Sequence, residues 1–193
     1  MRFILSLLLS LFCLFSLSTA QTINITPYAK GSGSAPEGLG YSFPLGECLE
    51  FESDLDVQLL WTDLNQDNIT LTYYSQGCKS VGQQYVFALN SLVEDFSLKY
   101  VYLPQSVVFS TENNMPAKAI QFYTYYTETN TCTGTSFLQY YTNGYKEPSG
   151  TNFQCLGGGK AQVVTCYGGN CIPTVYTTNQ CNTDENPPYT VKC

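Results

Sequence analysis

The stretch CLEFESDLDV, residues 48–57, has the clearest periodicity in the chain. Its apolar residues alternate one by one with acidic residues, which is the period of a β-strand whose two faces meet different surroundings. The pattern predicts one strand over Cys48–Val57, with Leu49, Phe51, Leu55 and Val57 directed inward and an outward row of four carboxylates, Glu50, Glu52, Asp54 and Asp56.

Short runs rich in Tyr, Phe, Val and Thr continue along the chain, separated by Gly, Asn, Pro and Ser, a composition typical of strands and turns. No window sustains a helical period; Leu92–Phe96 holds one helical turn at most, and Gly31–Gly40 is predicted as a loop. We therefore predict an all-β fold, either an antiparallel sandwich or two small β modules. Besides 48–57, the predicted strands are Asn68–Tyr74, Gln84–Leu89, Leu98–Leu103, Ser106–Ser110, Ala119–Thr127, Ser136–Tyr141, Ala161–Cys166, Thr174–Thr177 and Tyr189–Lys192.

The composition removes several classes of chemistry. The chain has 193 residues, which allows one domain of ordinary size or two small ones, and it contains no His. Without His there is no Ser–His or Cys–His nucleophile and no imidazole metal ligand. The sequence also lacks the G-x-S-x-G and S-x-x-K motifs. We predict no catalytic residues, no metal and no cofactor.

The first twenty residues have the features of a secretory signal peptide. A basic residue, Arg2, precedes the apolar run Phe3–Leu17, and the small residues Ser18-Thr19-Ala20 follow. That run is shorter than the ~20 residues of a membrane-spanning helix. The prediction is a signal peptide at 1–20 and a secreted chain of 21–193 without a membrane span.

Cleavage at that point would leave an even number of cysteines. Eight cysteines in a secreted chain predict about four disulfides, although they allow on the order of 100 pairings and the sequence does not choose among them. A zinc site is less favoured, because no C-x-x-C motif occurs. The predicted disulfide cysteines are Cys48, Cys78, Cys132, Cys155, Cys166, Cys171, Cys181 and Cys193.

Charge and glycosylation signals agree with an extracellular location. Seven lysines against fifteen acidic residues leave residues 21–193 with a net charge of −8, which disfavours nucleic acid and anionic lipid as partners. Two N-x-T sequons predict glycans at Asn24 and Asn68, and both side chains are expected on the surface.

Three segments repeat one arrangement, in which a strand rich in aromatic residues and Thr ends in Tyr and a Cys follows a few residues later. They are LTYYSQGCKSVG (71–82), QFYTYYTETNTCTG (121–134) and PTVYTTNQCNTD (173–184), in which Tyr74, Tyr126 and Tyr176 precede Cys78, Cys132 and Cys181. A weaker likeness relates GECLEF (46–51) to FQCLGG (153–158). These repeats suggest that 21–193 is a duplicated β unit, about 21–110 and 111–193; coincidence in a chain rich in Tyr and Thr is the alternative.

The Tyr-x(3–5)-Cys strands, the eight cysteines and the Thr/Tyr/Asn-rich composition resemble small secreted cysteine-rich proteins of social amoebae, of the counting-factor-associated type. The resemblance implies an extracellular protein linked to the secreted complex that regulates cell-group size. It offers no catalytic residues to carry over. The two proposed halves differ in one respect. In the second half Cys132 follows the aromatic strand, whereas no cysteine follows the corresponding segment around Ile25–Tyr28, so the match between the halves is incomplete.

Two surfaces are candidate binding sites. The carboxylate row Glu50, Glu52, Asp54 and Asp56 is able to bind Ca²⁺ or a basic partner, or to supply a pair for glycoside hydrolysis, but a solvated strand face is the simpler interpretation. Tyr123 and Tyr125 share one face of a strand and, if exposed, would stack on sugar rings or on a protein. Cross-strand pairing within the sheet is the alternative.

These observations favour a secreted, non-enzymatic glycoprotein that binds or signals within an extracellular complex or at a cell-surface receptor. A carbohydrate-binding module that uses exposed tyrosines is the second hypothesis. A glycosidase that uses the carboxylate row is the third.

Overall fold

The structure is a computed structural model of the chain, and it describes residues 21–29, 35–52, 55–75, 77–98, 101–126 and 129–193. The predicted signal peptide and residues 31–34 of the predicted loop 31–40 lie outside these ranges. Strands dominate: β1 Thr22–Tyr28, β2 Leu39–Pro44, β3 Cys48–Glu52, β4 Leu55–Trp61, β5 Asn68–Tyr74, β6 Gln83–Ala88, β7 Leu92–Leu98, β8 Val101–Ser110, β9 Ile120–Tyr125, β10 Ser136–Tyr141, β11 Asn152–Leu156, β12 Lys160–Tyr167, β13 Asn170–Thr177, β14 Cys181–Asn182 and β15 Tyr189–Lys192. A single 3₁₀ turn covers Gly77–Lys79, and no helix in the described part is long and apolar enough to cross a membrane.

The strands form three antiparallel sheets. The main sheet has eight strands in the order β14-β15-β9-β10-β2-β1-β8-β7. A four-stranded sheet contains β3 to β6 in sequence order, and a three-stranded sheet contains β11 to β13. The all-β prediction with antiparallel pairing is confirmed.

The two halves of the chain contribute strands to the main sheet in the same order. In each half a hairpin, β1–β2 or β9–β10, is followed by a small sheet, β3–β6 or β11–β13, and then by a second hairpin, β7–β8 or β14–β15. The last strand of each half pairs with its first strand, and the halves join where β2 pairs with β10. This correspondence supports the proposal that 21–110 and 111–193 are two copies of one unit.

The stretch 48–57 is two strands instead of the predicted one. Chain reversal after Glu52 makes β3 and β4 an antiparallel hairpin, in which Leu49 faces Val57 and Glu50 faces Asp56. Because directly opposed residues share a face of the sheet, these two pairs keep the apolar and acidic residues on separate faces. A register shift between Glu50 and Glu52 ends the alternation, since Glu52 is opposite Leu55. Leu49 and Val57 are accordingly buried.

Other strand predictions need correction. Residues 101–103 and 106–110, predicted in separate strands, belong to one strand, β8, whereas Leu98 ends β7, which also contains the suggested helical turn at 92–96. Strands β1, β2, β11 and β14 were not predicted. For β1 and β2 the reason is that Pro27, Pro44 and the glycines near 38–40 favour loops when read locally. Leu39, assigned to the loop, is fully buried in β2, where its place in the sheet outweighs the local signal.

One hydrophobic core joins the three sheets. It contains Ile25 and Phe43 from the main sheet, Leu59 from the four-stranded sheet, and Phe153 and Ala161 from the three-stranded sheet, all buried. Stacked aromatic rings mark each junction. Phe87 of β6 lies on Phe109 of β8 with ring centroids 4.4 Å apart, and Phe153 of β11 lies on Tyr141 of β10 at 3.5 Å. The two small sheets therefore pack on the same apolar side of the main sheet.

Four disulfides, as predicted, connect the eight cysteines, and the structure supplies the pairing that the sequence left open. Cys48–Cys78 lies within the four-stranded sheet and its turn, and Cys166–Cys171 closes the β12–β13 hairpin. The two long-range bonds are Cys132–Cys181, which ties the β9–β10 loop to β14, and Cys155–Cys193, which ties β11 to the end of the chain.

Gly40 of β2 provides a test of this packing. The ring of Tyr140, its cross-strand neighbour, lies over it so closely that a Cβ on Gly40 would be 2.1 Å from Tyr140 Cζ. Because Tyr140 is buried and has little room to move, we expect Gly40→Ala to lower the free energy of unfolding by roughly 1–3 kcal/mol. Urea unfolding followed by circular dichroism measures it. Gly157→Ala is the matched control, since a Cβ there meets nothing within 4 Å. Equal stability of Gly40→Ala and the control would contradict the Tyr140 packing.

Candidate functional site

A cleft of about 480 Å³ opens where the three sheets meet, and we call it the acid–aromatic cleft. Five aromatic rings form most of its walls, and two carboxylates, two amides, a hydroxyl and a proline complete them. The lining residues are Glu50, Phe122, Thr124, Tyr126, Phe137, Gln139, Tyr176, Glu185, Asn186, Pro187 and Tyr189. It is the larger of the two most prominent cavities in the described part of the chain.

The floor of the cleft is the inner face of the main sheet. Residues two apart on a strand share a face, so Phe122 and Thr124 of β9 face the same way. Strand pairing places Gln139 beside Phe122, and Phe137 beside Thr124. Tyr189 of β15 pairs with Thr124 from the other side and extends the floor.

Other parts of the chain supply the walls. Tyr176 comes from β13 of the three-stranded sheet, Glu50 from β3 of the four-stranded sheet, and Glu185 to Pro187 from the segment between β14 and β15. No single sheet builds the cleft, so its geometry depends on how the three sheets pack.

The rings meet nearly edge to face. Tyr176 stands at 90° to Phe122, with ring centroids 5.7 Å apart, and at 75° to Tyr189, with centroids 6.3 Å apart. These rings are in edge-to-face contact with one another, so they do not form a flat platform of coplanar rings.

Specific bonds hold the walls in place. The Cys132–Cys181 disulfide and a hydrogen bond from Asn130 Nδ2 to the Thr183 carbonyl oxygen (3.1 Å) fasten the segment that leads to Glu185. The amide of Tyr125 donates to the Pro188 carbonyl oxygen at 2.9 Å. At the border with the four-stranded sheet, the Tyr126 hydroxyl donates to the backbone carbonyl of Glu50 and so joins the end of β9 to β3.

The carboxylates act electrostatically on the phenols beside them. Burial raises the pKa of Tyr176 and of Tyr189, and the negative charge of Glu185 raises both further. Burial likewise raises the pKa of Tyr126, and Glu50 and Asp56 add to the effect. The phenols therefore stay neutral at physiological pH, and the negative charge of the cleft belongs to its carboxylates.

Only part of the predicted carboxylate row reaches this cleft. Glu50 lines it, and Asp56 is the cross-strand partner of Glu50 on β4. Because 48–57 is a hairpin, the four acids do not form a row along one strand. Glu52 is the last residue of β3, and Asp54 lies outside the described residues. Among the residues that the structure describes, no three His, Cys, Asp or Glu side chains are grouped as metal ligands would be.

Tyr123 and Tyr125 alternate with the cleft residues of β9 and so face the other side of the main sheet. Both are partly buried. Lys192 Nζ lies 4.1 Å from the centroid of the Tyr123 ring, and the Tyr123 hydroxyl donates to Gln121 Oε1 at 2.9 Å. The face of the Tyr123 ring is thus already in contact with a side chain of the same protein.

The two sequons differ in accessibility. Asn68, at the start of β5, is half-buried, and its Nδ2 donates to Asp63 Oδ2 at 3.0 Å, a bond that lowers the pKa of the Asp63 carboxyl. Asn24 is only 5% exposed, so the expectation that it lies on the surface is wrong. The reason is its position in β1, an interior strand of the main sheet that pairs with β2 and β8.

Sequence reasoning missed Glu185, Tyr189 and the amides of the cleft, because no motif or spacing marked these residues as part of a site. It did single out Tyr126 and Tyr176, but only as parts of a repeat. In the structure both tyrosines line the cleft, and the cysteines that follow them, Cys132 and Cys181, are bonded to each other. Recurrence of the Tyr–Cys spacing was therefore the available signal for the site.

A family model described as Counting factor-associated protein A/B/C matches residues 1–193. This confirms the resemblance drawn from the Tyr–Cys strands. No curated protein and no solved structure matches the chain significantly.

We expect the folded, secreted chain to carry an N-glycan at Asn68 and none at Asn24, because a glycan on Asn24 would occupy space that the folded sheet fills. Peptide mapping after enzymatic deglycosylation in isotopically labelled water reads both sites, since each released glycan leaves a labelled Asp. Asn68→Gln is the control and should abolish the label. Labelled Asp at position 24 in folded protein would show that β1 is more accessible than described.

Proposed function

Because this chain belongs to the counting factor-associated protein A/B/C family, we propose that it is a secreted, non-enzymatic glycoprotein that serves as a binding component of an extracellular complex. The family supports a role in a counting-factor complex. We further propose that the chain binds other proteins of the complex and catalyses no reaction, and that the complex regulates cell-group size. The observation that carries it is the family match over the full sequence.

The disulfides support secretion. Four cysteine pairs are bonded, two of them across 38 and 49 residues of sequence. Such bonds form and persist in oxidising surroundings and are rare where thiols are kept reduced. All eight cysteines of the described chain are used in this way, so their sulfur atoms stabilise the fold and none of them is a free thiolate.

The acid–aromatic cleft supports a binding role. It combines apolar rings with a few fixed polar groups, which is the usual make-up of a recognition site. Its walls come from three sheets that share one core, and the Cys155–Cys193 disulfide ties the three-stranded sheet to the end of the chain beside the main sheet. A site held by such packing is preorganised, so a ligand pays little of the ordering entropy.

Carbohydrate binding through Tyr123 and Tyr125 stays a prediction with less support. Sugar stacking requires an open ring face, and Lys192 lies over the ring of Tyr123. Glycan-array binding that is lost in the double variant Tyr123→Ala/Tyr125→Ala would establish it.

The proposal predicts that the native protein is secreted and does not migrate alone. Size-exclusion chromatography with light scattering, followed by mass spectrometry of the co-eluting proteins, measures its state, and N-terminal sequencing reads the cleavage point. We expect a complex several times larger than the 21.4 kDa chain and an N-terminus at Gln21. A lone monomer in the medium would contradict membership of a complex, and a chain retained in cells with residues 1–20 attached would contradict secretion.

A further inference from the structure

The acid–aromatic cleft carries negative charge that its own lining does not balance. Glu50 and Glu185 both line it, and none of the described lining residues is Lys or Arg. We propose that the cleft binds a cationic side chain, the guanidinium of an arginine or the ammonium of a lysine, presented by a protein partner. That the partner is a protein of the complex rests on the proposed function; the preference for a cation rests on the cleft.

The rings of the cleft lie at steep angles to one another. A cation is attracted to the face of an aromatic ring within about 6 Å of its centroid. Tyr176 is perpendicular to Phe122 and nearly so to Tyr189. A pyranose ring instead stacks on a flat and accessible platform, which these three rings do not form.

Both carboxylates line the same cavity as the tyrosine rings. Glu50 and Glu185 border the cleft together with Tyr126, Tyr176 and Tyr189, and the Tyr126 hydroxyl donates to the backbone carbonyl of Glu50. A guanidinium or ammonium among these rings would thus have carboxylates near it. A charge-assisted hydrogen bond of this kind is roughly twice as strong as a neutral one.

The volume of the cleft and the total charge of the protein both fit a basic side chain. About 480 Å³ exceeds what a bare ammonium or metal ion fills and suits a long side chain together with the backbone around it. The whole sequence carries a formal charge of −7, which steers basic surfaces toward the protein and repels acidic ones. A basic segment of a protein partner satisfies both conditions.

Capped tripeptides test the preference directly. Amide chemical shifts of the folded, disulfide-bonded chain are followed by NMR while Gly-Arg-Gly, Gly-Lys-Gly or the neutral Gly-citrulline-Gly is added. We expect the cationic peptides to shift amides of β9 and of the 185–189 segment, with roughly tenfold higher affinity than the citrulline peptide. Equal affinities for the cationic and neutral peptides, or shifts confined to other regions, would overturn the proposal.

Two variants separate a local effect from total charge. Glu185→Gln removes an exposed carboxylate that lines the cleft, and Glu112→Gln removes an exposed carboxylate outside the cleft. We expect Glu185→Gln to weaken arginine-peptide binding roughly tenfold and Glu112→Gln to change it less than twofold. Equal losses would overturn the proposal. Unchanged amide spectra away from the cleft show that both variants fold, and Tyr176→Leu gives a second loss of binding that leaves the charge intact.

The partner is tested on the native complex. If the cleft holds a partner's basic side chain, the Glu185→Gln chain is secreted normally but elutes as a free monomer, whereas Glu112→Gln stays in the complex. A Glu185→Gln chain that remains fully assembled would overturn the assignment of the cleft to the partner. If the unaltered chain is itself monomeric, the proposed function fails, and the peptide titration still decides whether the cleft selects cations.

Discussion

Burial of one face of the eight-stranded sheet is the constraint on which the rest of this structure depends. That face carries large apolar side chains such as Phe43 and Phe109, and a sheet cannot leave such a surface in water. Each half of the chain supplies a small sheet that covers it. The stacked pairs Phe87–Phe109 and Phe153–Tyr141 show that each cover contributes aromatic rings to the same core.

The acid–aromatic cleft follows from this arrangement. Two covers on one long sheet leave a gap where their edges meet, and here the gap lies over Phe122 and Phe137 of the sheet beneath. Groups from both covers border it, Glu50 from one and Tyr176 from the other. The Cys132–Cys181 disulfide and the Tyr126–Glu50 hydrogen bond fix these borders, so the packing that stabilises the fold also shapes the site.

The sequence was informative where local chemistry decides structure. Alternation and composition predicted the all-β class, and Asn68–Tyr74, Ser136–Tyr141 and Tyr189–Lys192 are strands with the predicted bounds. It was uninformative where pairing between segments decides the structure. The alternation in 48–57 fits a straight strand, whereas the chain folds there into a hairpin whose register shifts after Glu50. Strands β1 and β2 form because neighbouring strands pair with them. For the site, Glu50, Tyr126 and Tyr176 stood out in the sequence, whereas Glu185 and Tyr189 join them only through the sheet order.

Native-state hydrogen exchange tests most directly whether the three sheets share one core. The informative amides are those of Ile25 in the main sheet, Leu71 in the four-stranded sheet and Ala161 in the three-stranded sheet, all fully buried residues. A shared core predicts that they exchange with the same opening free energy, equal to that of global unfolding. Exchange of Leu71 or Ala161 at a clearly lower free energy than Ile25 would show that the small sheets open independently, and would contradict the account.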